Sequence, residues 1–239
     1  MAFIYVIGKN IITTFASEFQ INSISMMKQY DTYIFDLDGT LLNTLGDLAS
    51  SVNHTMKEFG FPQHSVDEVR CMVGNGIKKL IERAIPQGKD NPQYEQVYKS
   101  FMAYYLQHSL DTTCPYDGIM EMMSSLKAKG KNIAVVSNKY CTATEQLCRH
   151  FFNDYVQVAI GESEKIRKKP APDSVLEVMR RLATDKDHCV YIGDSDVDIE
   201  TARNSGIPCI SVLWGFRDKD FLISHGATCL VSTPKQITE

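Results

Sequence analysis

The fold of this chain is decided by the stretch Tyr33-Ile34-Phe35-Asp36-Leu37-Asp38-Gly39-Thr40, in which an apolar run ends in two aspartates. Residues two apart in a strand point to the same side, so Asp36 and Asp38 can face one site. Two converging carboxylates are costly unless a cation neutralises them, which suggests Mg²⁺. A carboxylate beside a metal ion is also a competent nucleophile towards phosphorus. The alternative is a plain turn that carries two aspartates.

The bulk composition is that of an ordinary globular protein. The 239 residues are 44% hydrophobic and 23% charged, and the formal net charge is −4. The negative charge argues against nucleic acid or an anionic membrane as the main partner. No apolar run reaches the roughly 18–20 residues that span a bilayer. The seven cysteines include no C-x-x-C pair and lie partly in apolar stretches, which predicts buried, reduced thiols in a cytoplasmic protein.

The first 27 residues fit poorly with the rest of the chain. The segment from Met1 to Ile7 is apolar, but no basic region precedes it and Lys9 interrupts it, which disfavours a signal peptide. We expect residues 1–27 to be an N-terminal extension, either disordered or a mis-assigned start, with translation beginning at Met26 or Met27.

Strands and helices alternate from residue 116 onwards. The apolar runs that we predict as strands come after the first strand, 31–36, and span 132–136, 155–160, 189–192, 209–213 and 228–231. Helical patterns separate them. This alternation predicts an α/β fold with a doubly wound parallel sheet, a Rossmann-like core.

A helical insertion separates the first strand from the next one. Apolar residues recur at three- and four-residue spacing from Leu45 to Phe59, and Ser65 with Glu68 forms a capping box that opens a second helix. We predict a helical cap over residues 44–116 and a core over residues 28–43 and 117–239. An insertion at this point lies over the carboxyl ends of the strands, where doubly wound sheets bind ligands.

Three further loops that come after predicted strands carry matching chemistry. Ser137 and Asn138 stand before a helix, where a hydroxyl and free N–H groups can hold phosphate oxygens, with a plain helix cap as the alternative. Lys169 precedes a proline that stiffens its loop, and it can hold an ammonium near the phosphate unless the loop is merely solvated. Asp194 is the natural further ligand of Mg²⁺, and Asp198 could orient metal-bound water or the lysine.

Together these elements resemble the four motifs of the haloacid-dehalogenase-like hydrolase superfamily, and the match covers roughly residues 30–231. The motifs are DLDGT at 36–40, the strand-terminal Ser137, the lysine of KPAPD at 169–173, and GDSDVD at 193–198. The turn Gly74-Asn75-Gly76 is most similar to phosphoglycolate phosphatases, as are the stretches DGTLLNT and SVLWG.

The resemblance implies a mechanism as well as a fold. Asp36 would attack phosphorus, and Asp38 would protonate the leaving oxygen while its backbone carbonyl contacts Mg²⁺. Asp36, Asp38 and Asp194 are therefore the expected metal ligands. The expected phosphate-binding residues are Ser137, Asn138 and Lys169, with Asp198 in support.

The implied activity is Mg²⁺-dependent hydrolysis of a small phosphomonoester, with phosphoglycolate as the best candidate. The expected partner is a small phosphorylated metabolite, and the protein could be a monomer or a homodimer. A sugar phosphomutase similar to β-phosphoglucomutase shares Asp36 and Asp38 and stays open, as do a pyrophosphatase and a nucleotidase. The alternative from another class is a non-catalytic phosphate-binding protein.

Two details of the cap carry their own expectations. Asn43 stands where such sequences often have Asp, so we expect an effect on the hinge or its hydrogen bonds. The turn Gly74-Asn75-Gly76 precedes a helix whose N-terminus could hold a substrate carboxylate. The alternative is a glycine turn that only joins two cap helices.

Overall fold

The computed structural model describes residues 29–239, and the extension predicted at residues 1–27 lies outside the described residues. The strands in this range are β1 (Thr32–Phe35), β2 (Leu42–Asn43), β3 (Cys114–Pro115), β4 (Asn132–Tyr140), β5 (Val158–Glu162), β6 (Cys189–Gly193), β7 (Cys209–Val212) and β8 (Leu230–Val231). Six of them form one parallel sheet in the order β5–β4–β1–β6–β7–β8. The other two, β2 and β3, form an antiparallel ladder.

The helices in the same range are α1 (Leu45–Glu58), α2 (Val66–Met72), α3 (Ile77–Ala84), α4 (Tyr94–His108), α5 (Ile119–Ala128), α6 (Cys141–Phe152), α7 (Asp173–Leu182), α8 (Asp196–Ser205) and α9 (Lys219–Ser224). Short 3₁₀ turns lie at Gly88–Asp90, Lys186–His188 and Pro234–Ile237. Among the described residues, no helix combines the length and the apolar character that a membrane crossing requires.

The main sheet is covered on both faces. Consecutive residues of β1, Tyr33, Ile34 and Phe35, are all buried although they point alternately to opposite sides. On one face Ile34 belongs to a cluster with Val175 of α7 and Ala202 of α8. The predicted α/β fold with a doubly wound parallel sheet is confirmed.

The strand limits that differ most from the predicted ones are the end of β4 and the start of β5. β4 continues to Tyr140, four residues beyond the apolar run. β5 begins only at Val158, because the N–H groups of Tyr155 and Val156 donate to the carbonyl of Phe152 and close the turn after α6. Hydrophobicity at 155 and 156 therefore reflects packing of a turn.

The four helices α1–α4 have a hydrophobic core of their own. Fully buried side chains of α1, α3 and α4 contribute to this core, among them Val52, Ile81, Val97 and Phe101. The capping box predicted at the start of α2 is present, since Ser65 N–H donates to Glu68 and Glu68 N–H donates to Ser65 Oγ. The predicted cap limits, 44 and 116, lie at the β2–β3 ladder and stay a prediction.

Asn43, where we predict an effect on a hinge, lies in the β2–β3 ladder. Asn43 pairs with Cys114 in the ladder, and its Oδ1 accepts a 3.4 Å hydrogen bond from Leu45 N–H.

All seven cysteines are free thiols, but only Cys148 and Cys189 are buried. Fewer thiols are buried than the apolar context of the cysteines predicts.

Asp47 links the segment by which the chain enters the cap to the segment by which it returns to the core; we call this link the clamp. The buried carboxylate of Asp47, on the first turn of α1, accepts four hydrogen bonds from the segment that leads into β3. Thr112 donates its N–H (2.8 Å) and its hydroxyl (2.5 Å), and Thr113 donates its N–H (3.0 Å) and its hydroxyl (2.7 Å). A buried carboxylate is stable there because every oxygen is satisfied.

Asp47→Ala should therefore destabilise the protein, because it leaves the Thr112 and Thr113 donors without their acceptor. We expect a loss of about 2–4 kcal/mol, seen as a melting temperature about 5–15 °C lower. Glu95→Ala, which removes an exposed carboxylate from α4, is the control and should change the melting temperature little. Equal melting temperatures for both variants would contradict the clamp.

Candidate active site

Loops from neighbouring strands meet at one edge of the sheet. Because β1, β4 and β6 are adjacent and parallel, their carboxyl ends lie side by side. Asp36 and Asp194 come directly after β1 and β6, Ser137 lies in the last part of β4, and the loop after β5 adds Lys169. All four side chains line one cavity of about 650 Å³, measured with its open mouth. The cap closes the other side of this cavity.

Lys169 lies at the centre of the charged groups. Its ammonium is 2.8 Å from Asp36 Oδ1 and 2.7 Å from Asp198 Oδ1, and it donates to the Tyr191 hydroxyl at 3.0 Å. Burial pulls the pKa of Lys169 down, but the charges of Asp198 and Asp36 outweigh it and the pKa is raised. The lysine is therefore a buried cation. Its neighbour Lys168 is exposed.

Asn138 holds the Lys169 loop in place. Its Nδ2 donates to the Lys169 carbonyl at 3.1 Å, and its Oδ1 accepts from the Lys169 N–H at 2.8 Å. The Asn138 side chain, expected at the phosphate, is thus engaged with the backbone of the lysine. Ser137 Oγ accepts from Lys139 N–H at 3.2 Å and keeps its own proton available to the cavity.

Three buried carboxylates form a cluster beside Lys169. Oxygens of Asp36, Asp194 and Asp198 all lie within 4.8 Å of one another. Burial first, and the charge of Asp198 second, raise the pKa of Asp194 to about 7. Burial also raises the pKa of Asp36, although Lys169 opposes it. Three carboxylates against one ammonium leave an excess of about two negative charges, which a divalent cation fits.

The three carboxylates differ in how many of their oxygens are occupied. Both oxygens of Asp198 are engaged, one by Lys169 and Tyr191 and the other by the N–H and hydroxyl of Ser195. Asp36 meets Lys169 through Oδ1 alone. Asp198 accepts four such contacts and Asp194 only two, and the carboxylates that line the cavity are those of Asp36 and Asp194. The supporting role of Asp198 stays a prediction.

Asp194 is fixed from two sides by other loops. Its Oδ2 accepts from Phe216 N–H at 2.7 Å, and its Oδ1 accepts from the Thr40 hydroxyl at 3.3 Å. Gly39, with φ of +88°, lies so close that any Cβ there would collide with the Asp194 carboxylate. Glycine is required in the DLDGT stretch for its backbone conformation and for this contact.

The carboxylate of Asp38 faces the same cavity but lies outside the three-carboxylate cluster. Lys139 Nζ is 3.0 Å from both Asp38 oxygens and 2.8 Å from the hydroxyl of Tyr105, a cap residue. Burial alone would lower the pKa of Lys139, but the nearby charge of Asp38 has the larger effect, so the pKa is raised. The Asp38 side chain is thus engaged by Lys139, and the contact of its backbone carbonyl with Mg²⁺, which the resemblance implies, stays a prediction.

Sequence reasoning misses Lys139. A signal for it exists, because residues two apart in a strand share a side and Ser137 is predicted to face the site. The apolar run ends at Val136, so the pattern predicts that β4 stops there and gives no sign of its continuation to Tyr140.

The cap contributes an apolar surface to the cavity. Among the described residues, its lining side chains are aliphatic or absent: Leu48, Val73, Gly74, Gly76, Ile77 and Leu80. Asn75 is turned away, since its Oδ1 accepts a 2.7 Å hydrogen bond from Arg83 within the cap. The glycine turn thus brings its two glycines to the cavity, while Asn75 serves the structure of the cap.

Comparison with known proteins identifies the family. Residues 33–212 match the family of haloacid dehalogenase-like hydrolases. The chain belongs to this family. The match covers all four motifs, so the family predicted from the sequence is confirmed.

The relatives narrow the activity. The phosphoglycolate phosphatase of Aquifex aeolicus is 31% identical over 77% of this chain and 84% of its own length. The N-acetylmuramic acid 6-phosphate phosphatase of Pseudomonas aeruginosa is 27% identical over 86% and 92%. The crystal structure of a candidate phosphoglycolate phosphatase from Lactobacillus delbrueckii superimposes with a TM-score of 0.86 at 36% identity, covering 89% of this chain and 98% of that one. The predicted activity class, hydrolysis of phosphoric monoesters, agrees with all three.

The carboxylate cluster predicts how metal-free protein responds to pH. Asp194 has an ordinary pKa of 3.8 when unfolded and a pKa of about 7 when folded. Between these values the folded state binds a proton that the unfolded state has lost, so stability falls as pH rises from about 4 to about 7. In EDTA the melting temperature should fall over this range, and Mg²⁺ should restore it at pH 8.

Asp194→Asn is the matched control, because it removes the titrating group and keeps its shape. This variant should show a shallower fall with pH and little response to Mg²⁺. A wild-type melting temperature that changes with neither pH nor Mg²⁺ would contradict the interpretation of the cluster as a cation site.

Proposed function

We propose that this protein is a Mg²⁺-dependent phosphatase that cleaves a small phosphomonoester through an aspartyl phosphate on Asp36, with phosphoglycolate as its substrate. The observation that carries the proposal is the surroundings of Asp36. One of its oxygens is held 2.8 Å from a buried ammonium, while the side chain lines the cavity beside Asp194 and Asp38.

The first step would form a bond between an oxygen of Asp36 and phosphorus and break the bond between phosphorus and the alcohol oxygen. Asp38, held in the same cavity by Lys139, would give the leaving oxygen its proton. In the second step Asp38 would take a proton from the water that attacks the phosphorus, and Asp36 would be released. Ser137 and Lys169 would hold the phosphate oxygens during both steps.

The residues present fit a magnesium ion. Asp36, Asp194 and the backbone carbonyl of Asp38 would hold it, with Asp198 orienting Lys169 from behind. When bound, the ion would offset the negative charge of the carboxylates and of the phosphate ester.

The cap surface supports a small substrate. A sugar or a nucleobase presents hydroxyl or amide groups that need hydrogen-bond partners, and the described cap residues at the cavity offer aliphatic groups instead. This favours phosphoglycolate over a sugar phosphate, a nucleotide or the phosphomutase alternative. The relatives named phosphoglycolate phosphatase support the same choice.

Asp36→Asn should abolish turnover of phosphoglycolate and of p-nitrophenyl phosphate, because it removes the attacking oxygen and keeps the shape. We expect a loss of more than about a hundredfold in kcat, since covalent catalysis contributes several kcal/mol. Asp196→Asn makes the same chemical change on the first turn of α8 and should retain activity. Turnover by Asp36→Asn at more than about a hundredth of the wild-type rate would rule out the proposed nucleophile.

The two neighbouring lysines offer a second test. Lys169→Met should lower kcat by about a hundredfold or more, because it removes a buried charge that faces Asp36 and the phosphate. Lys168→Met removes an exposed lysine one position away and should change kcat less than about threefold, within the usual effect of a surface substitution. The kcat values of the two variants are compared in steady-state assays at saturating Mg²⁺. Similar losses in both variants would assign the role to the loop as a whole.

A further inference from the structure

Arg217 stands out among the cations that line the cavity. Of the described residues there, Lys139 is paired with Asp38 and Lys169 with Asp36 and Asp198. Arg217 lines the same cavity and forms no ion pair with any described residue. A positive charge without a carboxylate partner, in a cavity whose other cations are committed, is available to an anionic group of a ligand.

Hydrogen bonds to the cap fix the guanidinium of Arg217 and leave some of its N–H donors without an acceptor among the described residues. Arg217 donates from Nη1 to the Arg70 carbonyl at 3.0 Å and from Nη2 to the Val73 carbonyl at 2.7 Å. Its Nε–H is buried and has no acceptor among the described residues. A guanidinium has five N–H groups, so these two bonds leave three of them for another partner.

The surroundings of Arg217 place it between the metal-binding side and the cap side of the cavity. The residue before it, Phe216, donates its backbone N–H to Asp194. On the opposite side the guanidinium packs against the glycine turn, where a Cβ on Gly74 would lie 3.3 Å from Nη2. The rest of the cap lining is aliphatic. Among residues 29–239, a carboxylate bound in this cavity therefore finds one cation that has no carboxylate partner.

We infer that Arg217 is the residue that selects phosphate esters bearing a carboxylate. It binds that carboxylate at the end of the substrate remote from Asp36. The cap joins in this selection, because the same guanidinium holds the carbonyls of Arg70 and Val73. Since the inference rests on the proposed phosphatase function, its test separates the two.

The test compares two substrates that differ in the carboxylate, phosphoglycolate and ethyl phosphate, with Mg²⁺ present. The quantity measured is the ratio of their kcat/KM values. Wild-type protein should prefer phosphoglycolate, and Arg217→Gln should lower the ratio about tenfold to a hundredfold, the effect of losing one charged hydrogen-bond donor to an anion. Arg217→Lys keeps the charge and should recover part of the ratio.

Arg70→Gln is the matched control. Arg70 also bridges cap and core, because it donates from Nη1 to the Phe216 carbonyl at 2.5 Å, but it does not line the cavity. If the cap bridge alone mattered, both glutamine variants would lower the ratio equally, and the inference would be wrong. It would be wrong as well if Arg217→Gln kept the wild-type ratio.

The wild-type protein alone supplies the remaining outcomes, whatever the stability of the variants. Equal kcat/KM for the two substrates would overturn the role of Arg217 and leave the phosphatase proposal standing. Absence of Mg²⁺-dependent turnover with phosphoglycolate, ethyl phosphate and p-nitrophenyl phosphate would instead overturn the proposed function, and the selection by Arg217 with it.

Discussion

The site depends on one buried ammonium held between two carboxylates. Lys169 Nζ lies 2.8 Å from Asp36 and 2.7 Å from Asp198, and its side chain is only 4% exposed. Without this charge, three buried carboxylates would repel one another at a considerable cost in stability. Much of the local structure serves to hold the lysine, including Asn138, which binds the Lys169 backbone through both ends of its amide.

Two side chains at the cavity, Lys139 and Arg217, connect the cap to the core. Lys139 joins the catalytic candidate Asp38 to Tyr105 of the cap. Arg217 joins the loop that fixes Asp194 to the glycine turn of the cap. Each contact connects a carboxylate of the core to a cap element, so the position of the cap and the geometry of the carboxylates are physically coupled.

The sequence predicts the sheet and the residues at its strand ends well, because both depend on local patterns. Apolar runs that end in Asp36, Ser137 or Asp194 place these groups at one edge of a parallel sheet. The pattern fails where tertiary contacts decide. Lys139 belongs to a strand extension that no apolar residue marks. Arg217 reaches the cavity from the loop after β7, where the resemblance singles out SVLWG but not the arginine two residues beyond it. Asn75, which the turn motif favours, is instead bound by Arg83.

Chemical trapping tests the central claim most directly, namely that Asp36 carries the phosphoryl group. Borohydride reduces an acyl phosphate to an alcohol, so protein quenched during turnover and digested should contain homoserine at position 36. Peptide mass spectrometry reads the position, with Asp38, Asp194 and Asp198 as internal references. Homoserine at position 36 alone is the predicted result. Homoserine at another of these positions, or none at all while phosphate is still being released, would contradict the account.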